Sequence, residues 1–312
     1  MRAAVYRGHS VELIEVEKPV PLDGEVLLAV LAASINAPDW RLMGSAVLRR
    51  LLFARRKRQT PGTDVAGVVE TVGRNVTRFK AGDAVFGAAA GSFAEYATAR
   101  EGMLLVLPQG ATFGEGACIA ASGITALQAL RDQGNIAPGQ KVLINGASGS
   151  VGTLAVQIAK SFGAEVTAVC STHNVDMVRS LGADRVIDYS KEDFTQEPHR
   201  YDLIVDNVGN RPVLACRRLL TKEGRFVMVG APKNAFVTAS RALSAFVLSR
   251  FDKRIRMFIA RLRHEDLTVL AELMRCGQLK PVIDRTYSLD QVADALRYVS
   301  EGHPRAKVVI KP

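Results

Sequence analysis

The chain has 312 residues, 48% of them apolar, and a formal net charge of +10. Such a length points to two domains or one large α/β unit, and such an apolar content excludes intrinsic disorder. The charge is uneven: 49–58 holds six basic residues and no acid, and 241–263 holds seven with a single acid, Asp252, which leaves the rest of the chain close to neutral. Basic segments of this kind are solvated faces, or surfaces for an anionic lipid, an anionic substrate or an acidic partner. No nucleic-acid module accompanies them, and Phe53 is the only aromatic residue in the first, so no nucleic-acid partner is expected. The four cysteines, Cys118, Cys170, Cys216 and Cys276, lie dozens of residues apart with no C-x-x-C pair, against a zinc knuckle or a disulfide framework. No apolar leader or membrane-length apolar run is present, and a soluble cytoplasmic protein is expected.

The first third reads as short strands ("AAVYR", "EVLLAVLAASI", "DVAGVVETVG", "DAVFGAA", "FAEYATA") punctuated by glycine and proline. That is the pattern of a compact β-rich domain. Near Ala117 the character changes, and "GACIAASGITALQALRDQG" reads as helix. A beat of apolar strand, turn and helix then follows: "KVLIN", "SVGTLAVQIAKSFG", "EVTAVC", "NVDMVRSLG", "RVIDY", "DLIVDNVG", "RPVLACRRLL", "RFVMVG". Apolar strands alternating with helices predict parallel βαβ units in a doubly wound sheet. The stretch 235–263 is apolar and basic together and predicts one or two amphipathic helices. "HEDLTVLAELMRCGQLKP" and "SLDQVADALRYVSEG" predict further helices, and "KVVI" a last strand that returns to the first domain.

The strand "KVLIN" runs into Gly146-x-x-Gly149-x-x-Gly152 and then a helix. A tight turn, close backbone approach to a pyrophosphate and an open helix N-terminus are all needed in a dinucleotide cradle, and this context supplies them. Gly146, Ser148, Gly149, Ser150, Val151 and Gly152 are its candidate residues. The next strand ends in Cys170, Ser171, Thr172 and His173. NAD-preferring sites commonly place an acid there, about 20 residues on, to hold the ribose 2′-hydroxyl. Hydroxyls and an imidazole, with Arg179 nearby, suit a 2′-phosphate better, so NADP(H) is expected rather than NAD. Asn207 with Val208, and Val229 with Gly230, end later strands, where ligands meet a parallel sheet.

The stretches "INAPDW" (35–40), "PGTDVAGVVETVG" (61–73), "FKAGDAVFG" (79–87), "GSFAEYA" (91–97), "GITALQAL" (123–130), "VLINGASGSVG" (142–152), "LGADRVIDY" (181–189), "YDLIVDNVG" (201–209) and "EGHPRAKVVI" (301–310) run nearly the whole chain. In them the chain resembles the medium-chain dehydrogenase/reductase superfamily, in its zinc-independent, quinone oxidoreductase-like (reticulon-interacting-protein-like) group. The resemblance implies an α/β fold: a GroES-like catalytic domain over 1–118, completed by 280–312, and a Rossmann domain over 119–279. It also implies a homodimer, and a nicotinamide flanked by Asn36 and Thr125, although Asn36 also reads as a turn residue before Pro38 and Thr125 as a backbone-satisfying helix residue. Tyr189 matches a position near the 2′-phosphate. Lys307 is placed near the cofactor or on a solvated surface. Zinc-dependent members carry a Cys after the early strand and a Gly-His-Glu triplet. Here those places hold Asn36 and Gly62-Thr63-Asp64, which lack the thiolate and imidazole of a catalytic zinc, so no metal site is expected. A proton-donating Tyr of related quinone reductases is replaced by Arg41, and Asp39, Trp40 and Arg41 read equally as a packing corner.

The expected activity is hydride transfer from NADPH to a small hydrophobic acceptor, a quinone or an activated carbonyl or alkene. A 2-alkenal or enone reductase is the nearest alternative. Leu42, Met43, Phe53 and 236–258 are candidate apolar lining. A reading of another class is an NADPH-binding scaffold that uses 49–58 and 236–263 on an anionic membrane or a partner.

Overall fold

The computed structural model describes residues 1–8, 10–41, 60–230, 235–301 and 304–312. The basic segment 49–58 and the proposed lining residues Leu42, Met43 and Phe53 lie outside them. The chain divides into two units, Met1–Ile124 with Leu262–Pro312, and Thr125–Arg261.

In chain order the strands are β1 (Arg2–Arg7), β2 (Ser10–Glu15), β3 (Glu25–Ser34), β4 (Asp64–Val72), β5 (Ala84–Ala88), β6 (Tyr96–Arg100), β7 (Leu104–Val106), β8 (Lys141–Asn145), β9 (Glu165–Cys170), β10 (Arg185–Asp188), β11 (Tyr201–Asp206), β12 (Leu220–Met228), β13 (Ile255–Met257), β14 (Ile283–Ser288) and β15 (Lys307–Lys311).

The first unit holds an antiparallel β1-β2 hairpin and a seven-stranded sheet in the order β14-β15-β3-β4-β5-β7, with β6 on β3. Glycines let its strands bend and crowd together: a Cβ on Gly67 would lie 2.1 Å from the Ala29 carbonyl oxygen. The expectation that the last strand returns is met, since β15 pairs antiparallel with β3, Val309 opposite Ser34. The helix Val292–Glu301 joins β14 to β15, and its Val292 and Leu296 enter the same core as Leu28, Val65, Val85 and Phe93. The return begins earlier than the expected 280. The helix His264–Arg275 belongs to the first unit because Leu270 packs on Gly123, where an added Cβ would meet its Cδ1 at 2.9 Å.

The second unit is a six-stranded parallel sheet in the order β10-β9-β8-β11-β12-β13. The inner strands β8 and β9 are buried runs that expose only their first residues, as sheets covered on both faces require. Leu143, Val169, Phe194, Ile204 and Phe226 form the core. The order reverses between β8 and β11, which opens a crevice at the carboxyl ends of those strands. The predicted helices are present at Ser150–Ser161, Val175–Ser180 and Val213–Arg218, and 235–263 folds as one long helix, Ala235–Phe251, followed by the edge strand β13. Among the described residues no helix is long and apolar enough to cross a membrane.

Candidate active site

At the carboxyl end of β8, Gly146 turns the chain with φ +77°, a conformation that costs a residue with a Cβ. The chain then enters the helix Ser150–Ser161 through Gly149, with Thr153 N–H as the first internal donor, to the Gly149 carbonyl at 3.0 Å. The N–H groups of Ser150, Val151 and Gly152 therefore have no intrahelical acceptor, and the positive end of the helix dipole lies with them. Gly152 permits the closeness of helix and strand: a Cβ there would lie 2.1 Å from the Gly146 carbonyl oxygen. These features fit a pyrophosphate.

The other expected nucleotide residues reach the same edge of the sheet. Ser171 is half-buried and Thr172 and His173 are exposed at the end of β9. Tyr189 follows β10 and is tied to the end of β9 by its N–H on the Cys170 carbonyl at 3.0 Å; its side chain is 44% exposed. Asn207 and Val208 follow β11, and the N–H groups of Val229 and Gly230 both meet the Asp206 carbonyl, at 3.0 and 3.1 Å. Gly230 has no substitute there, since a Cβ would fall 1.7 Å from the Asn207 carbonyl oxygen.

Two features of this edge escaped the sequence reading. The first is a buried brace across the switch point. Asn145 Nδ2 donates to Asp206 Oδ1 at 2.8 Å and to Asn210 Oδ1 at 2.9 Å. Asp206 Oδ1 also accepts from the N–H groups of Val208 and Gly209, at 3.2 and 2.9 Å. The brace fixes the loop after β11, where Asn207 donates through Nδ2 to the Asn145 carbonyl and its Oδ1 is buried without a partner. An unmet buried acceptor is costly, and a ligand hydroxyl or amide would satisfy this one. The visible signal was an Asp ending an otherwise apolar run. The second feature corrects the role of Thr172. Its hydroxyl donates to Asp188 Oδ2 at 2.6 Å and holds that carboxyl below the usual range, so Thr172 offers lone pairs at this edge and its proton is already committed.

A second polar cluster lies wholly in the first unit. Asn36 lies two residues beyond the end of β3, Asp64 begins β4, Ser122 lies on the helix Ala120–Gln128 and Lys307 begins β15. The Lys307 ammonium donates to Asn36 Oδ1 at 2.9 Å, Asp64 Oδ2 at 3.2 Å, and the Ile35 carbonyl and Ser122 Oγ at 3.4 Å. Lys307 and Asp64 are 1% and 0% exposed, a fully buried ion pair. Asp64 Oδ1 accepts the Ala121 N–H at 2.9 Å. Lys307 is therefore not a solvated surface lysine: its ammonium is buried and paired inside the first unit. Asn36 Nδ2 is buried with no partner.

This donor set does not fit a zinc ion. Asn36 and Asp64 stand where zinc-dependent chains place Cys and Glu, but Lys307 already holds their oxygens, and an ammonium repels a dication. Burial pushes the nearby Cys118 thiol up to about 12. No group of three or more His, Cys, Asp or Glu side chains is gathered among the described residues.

Asp39 supports the cluster from below. Its Oδ2 accepts the Asn36 N–H at 2.7 Å and its Oδ1 the Gly62 N–H at 3.1 Å. Burial raises its carboxyl to about 6 despite these bonds. Tyr6 donates its hydroxyl to the Asp39 carbonyl at 2.7 Å, and Trp40 packs on the same core, so this stretch is the packing corner. Thr125 is half-buried on the helix Ala120–Gln128 and belongs to the second unit.

The chain matches the family model described as alcohol dehydrogenase GroES-like domain over residues 22–109, and the one described as zinc-binding dehydrogenase over 181–310. It is 34% identical to a chloroplastic quinone oxidoreductase of Triphysaria versicolor, covering 100% of this chain and 98% of that one. It is 32% identical to a 2-methylene-furan-3-one reductase of Solanum lycopersicum, over 100% of this chain and 79% of the other. The solved quinone oxidoreductase of Coxiella burnetii superposes with a TM-score of 0.87 at 27% identity, covering 100% and 98% of the two chains. With the GroES-like sheet, the doubly wound sheet and the glycine cradle in place, the chain belongs to the medium-chain dehydrogenase/reductase superfamily and is a pyridine-nucleotide-binding oxidoreductase.

Proposed function

We propose that the protein is an NADPH-dependent, zinc-independent reductase of quinones, or of alkenes conjugated to a carbonyl. The observation that carries this reading is the Lys307 ammonium among the oxygens of Asn36 and Asp64. A site without a Lewis acid suits acceptors that are already electrophilic. Quinones and enones qualify, because conjugation spreads the charge that arrives with a hydride onto their own oxygen.

A bound nicotinamide nucleotide supplies the hydride. The chain's residues do the rest. The helix N-terminus at Ser150–Gly152 and the Gly146 turn bind the pyrophosphate. Asn207 Oδ1 accepts from the nucleotide, and Ser171, His173 and Tyr189 line the 2′-phosphate end. Asn36 Nδ2 donates to the acceptor oxygen as its negative charge grows. The proton that completes the product comes from water. The relatives named for quinones and for a methylene-furanone support both acceptor classes.

The test is oxidation of NADPH and NADH against a benzoquinone, a naphthoquinone, an enal and an enone. Turnover with quinones sets the first class, and turnover confined to the enal or enone makes the protein a double-bond reductase. NADPH binding with no turnover would sink the reductase reading.

A second reading concerns the helix Ala235–Phe251, which exposes Leu243, Phe246, Val247 and Phe251, with Arg250 over the Phe246 ring. Apolar residues set among cations suit an anionic bilayer. They also lie near β13, the free edge of the sheet, and would be covered in a homodimer formed there. Light scattering together with sedimentation on phosphatidylserine vesicles separates the two: a dimer that ignores vesicles assigns the face to a second copy of the chain. We place the reaction in the cytoplasm, where free thiols such as those of the four cysteines persist.

A further inference from the structure

We propose that Lys307 is the positioning residue for Asn36: it locks the side-chain amide so that Nδ2, and never Oδ1, faces the acceptor. This rests on the donor role of Asn36 proposed above. An asparagine amide can rotate half a turn and exchange donor for acceptor, and ordinary maps do not distinguish the two states. Here the neighbour decides. An ammonium has three donors and no acceptor, so the atom 2.9 Å from Lys307 Nζ must be Oδ1. The donor Nδ2 is then turned away from Lys307 and is buried without a partner. A buried amide N–H that binds nothing is costly, and its persistence marks a place prepared for an acceptor. The positive charge behind Oδ1 also polarises the amide and strengthens Nδ2 as a donor.

The surroundings hold the lysine to this task. Asp64 anchors the ammonium at 3.2 Å and is itself anchored by the Ala121 N–H at 2.9 Å. The residue before the lysine, Ala306, is held at φ +65°, which is unfavourable for a side chain with a Cβ. Strain of this kind persists where the surrounding structure over-determines it.

Four variants test the proposal by steady-state kinetics with NADPH and the best quinone or enone: Asn36→Ala, Lys307→Arg, Lys307→Met/Asp64→Asn, and that pair combined with Asn36→Ala. The paired change removes both charges, so that no lone carboxylate is left buried. Losing a preorganised donor to an oxyanion lowers kcat by about 100-fold, the result expected for Asn36→Ala. Lys307→Met/Asp64→Asn should lower kcat at least about tenfold, with the NADPH dissociation constant unchanged. It should add nothing further in the Asn36→Ala background, because the lysine acts through that amide. Lys307→Arg, which keeps a donor-only cation, should retain most of kcat. Undiminished kcat in the folded paired variant, or losses that multiply when it is combined with Asn36→Ala, would overturn the positioning role. A normal kcat in Asn36→Ala alone would instead overturn the donor role of Asn36, and this inference with it. Where the paired variant does not fold, the arginine variant decides: a fall as large as that of Asn36→Ala, with nucleotide binding intact, refutes the proposal.

Discussion

The two polar regions of this protein are built from different materials. The edge of the second unit where we propose the nucleotide binds is made of backbone. Its donors are the N–H groups at the start of the helix Ser150–Ser161, and its side chains are mostly missing on purpose, at Gly146, Gly152 and Gly230. The cluster in the first unit is made of side chains, one ammonium, one carboxylate, one amide and one hydroxyl, with little room for exchange. A backbone site tolerates change in neighbouring side chains and fails when a Cβ is added. A side-chain cluster fails when a charge is removed. That difference ranks the expected effects.

The largest is the loss of Lys307 alone. Lys307→Met leaves Asp64 charged and buried, and breaking such a pair costs about 3–5 kcal/mol. Denaturant unfolding should show this loss, with a smaller one in Lys307→Met/Asp64→Asn. Equal losses would mean that packing of the lysine stem, and not charge, dominates the cluster.

Next is the pH dependence set by Asp39, which shares the Asn36 loop with that cluster. Its carboxyl is raised from 3.8 to about 6 by burial, with Asp64 adding to the rise and Lys307 opposing it. The folded chain therefore holds this proton more tightly than the unfolded chain does. The associated stability is present below about pH 4 and is lost as pH rises through 6, by an amount on the order of 3 kcal/mol. Other carboxyls shift the opposite way, Glu197 beside Arg185 among them, so the difference between wild type and Asp39→Asn isolates this group. A difference that stays flat from pH 4 to 7 would show that the folded chain does not raise this carboxyl.

Gly152→Ala probes the other region. The new methyl would sit 2.1 Å from a carbonyl oxygen, so the helix must move away from β8 and carry its N–H groups with it. Overpacking of this size weakens NADPH binding about 10- to 100-fold, read by titration calorimetry. Unchanged affinity would separate the cradle from the nucleotide.

The same contrast explains what the sequence could disclose. The cradle motif is contiguous, twelve residues of strand, turn and helix in "KVLINGASGSVG", so its pattern is readable in one stretch of sequence. The parallel, doubly wound sheet followed from the same alternation of apolar strands and helices, but its strand order did not. The cluster in the first unit draws on positions 36, 64, 122 and 307, and no local pattern joins them. Asn36 was visible as a missing cysteine and Asp64 only as part of a lost triplet. Lys307 read as a lysine near the cofactor or on a solvated surface, and only the pairing of β15 with β3 shows it beside both. The domain boundary shifted for a related reason: the helix His264–Arg275 looks like its neighbours in the second unit, and packing such as that of Leu270 on Gly123 assigns it to the first.

The smallest effect tests the part of the nucleotide edge that does depend on side chains. At the end of β9 the Thr172 proton is committed to Asp188, and His173 stands exposed beside it. An imidazole offers a phosphate at most one N–H, whereas a guanidinium is permanently charged and binds phosphate through a fork of donors. His173→Arg should therefore tighten NADPH about three- to tenfold, the gain of one exposed charge-assisted contact, and leave NADH unchanged. Equal gains for both nucleotides would place the new charge on the shared pyrophosphate. A gain for neither, with NADH the better substrate, would assign Asp188 and the Thr172 lone pairs to a ribose 2′-hydroxyl, and the cofactor to NAD.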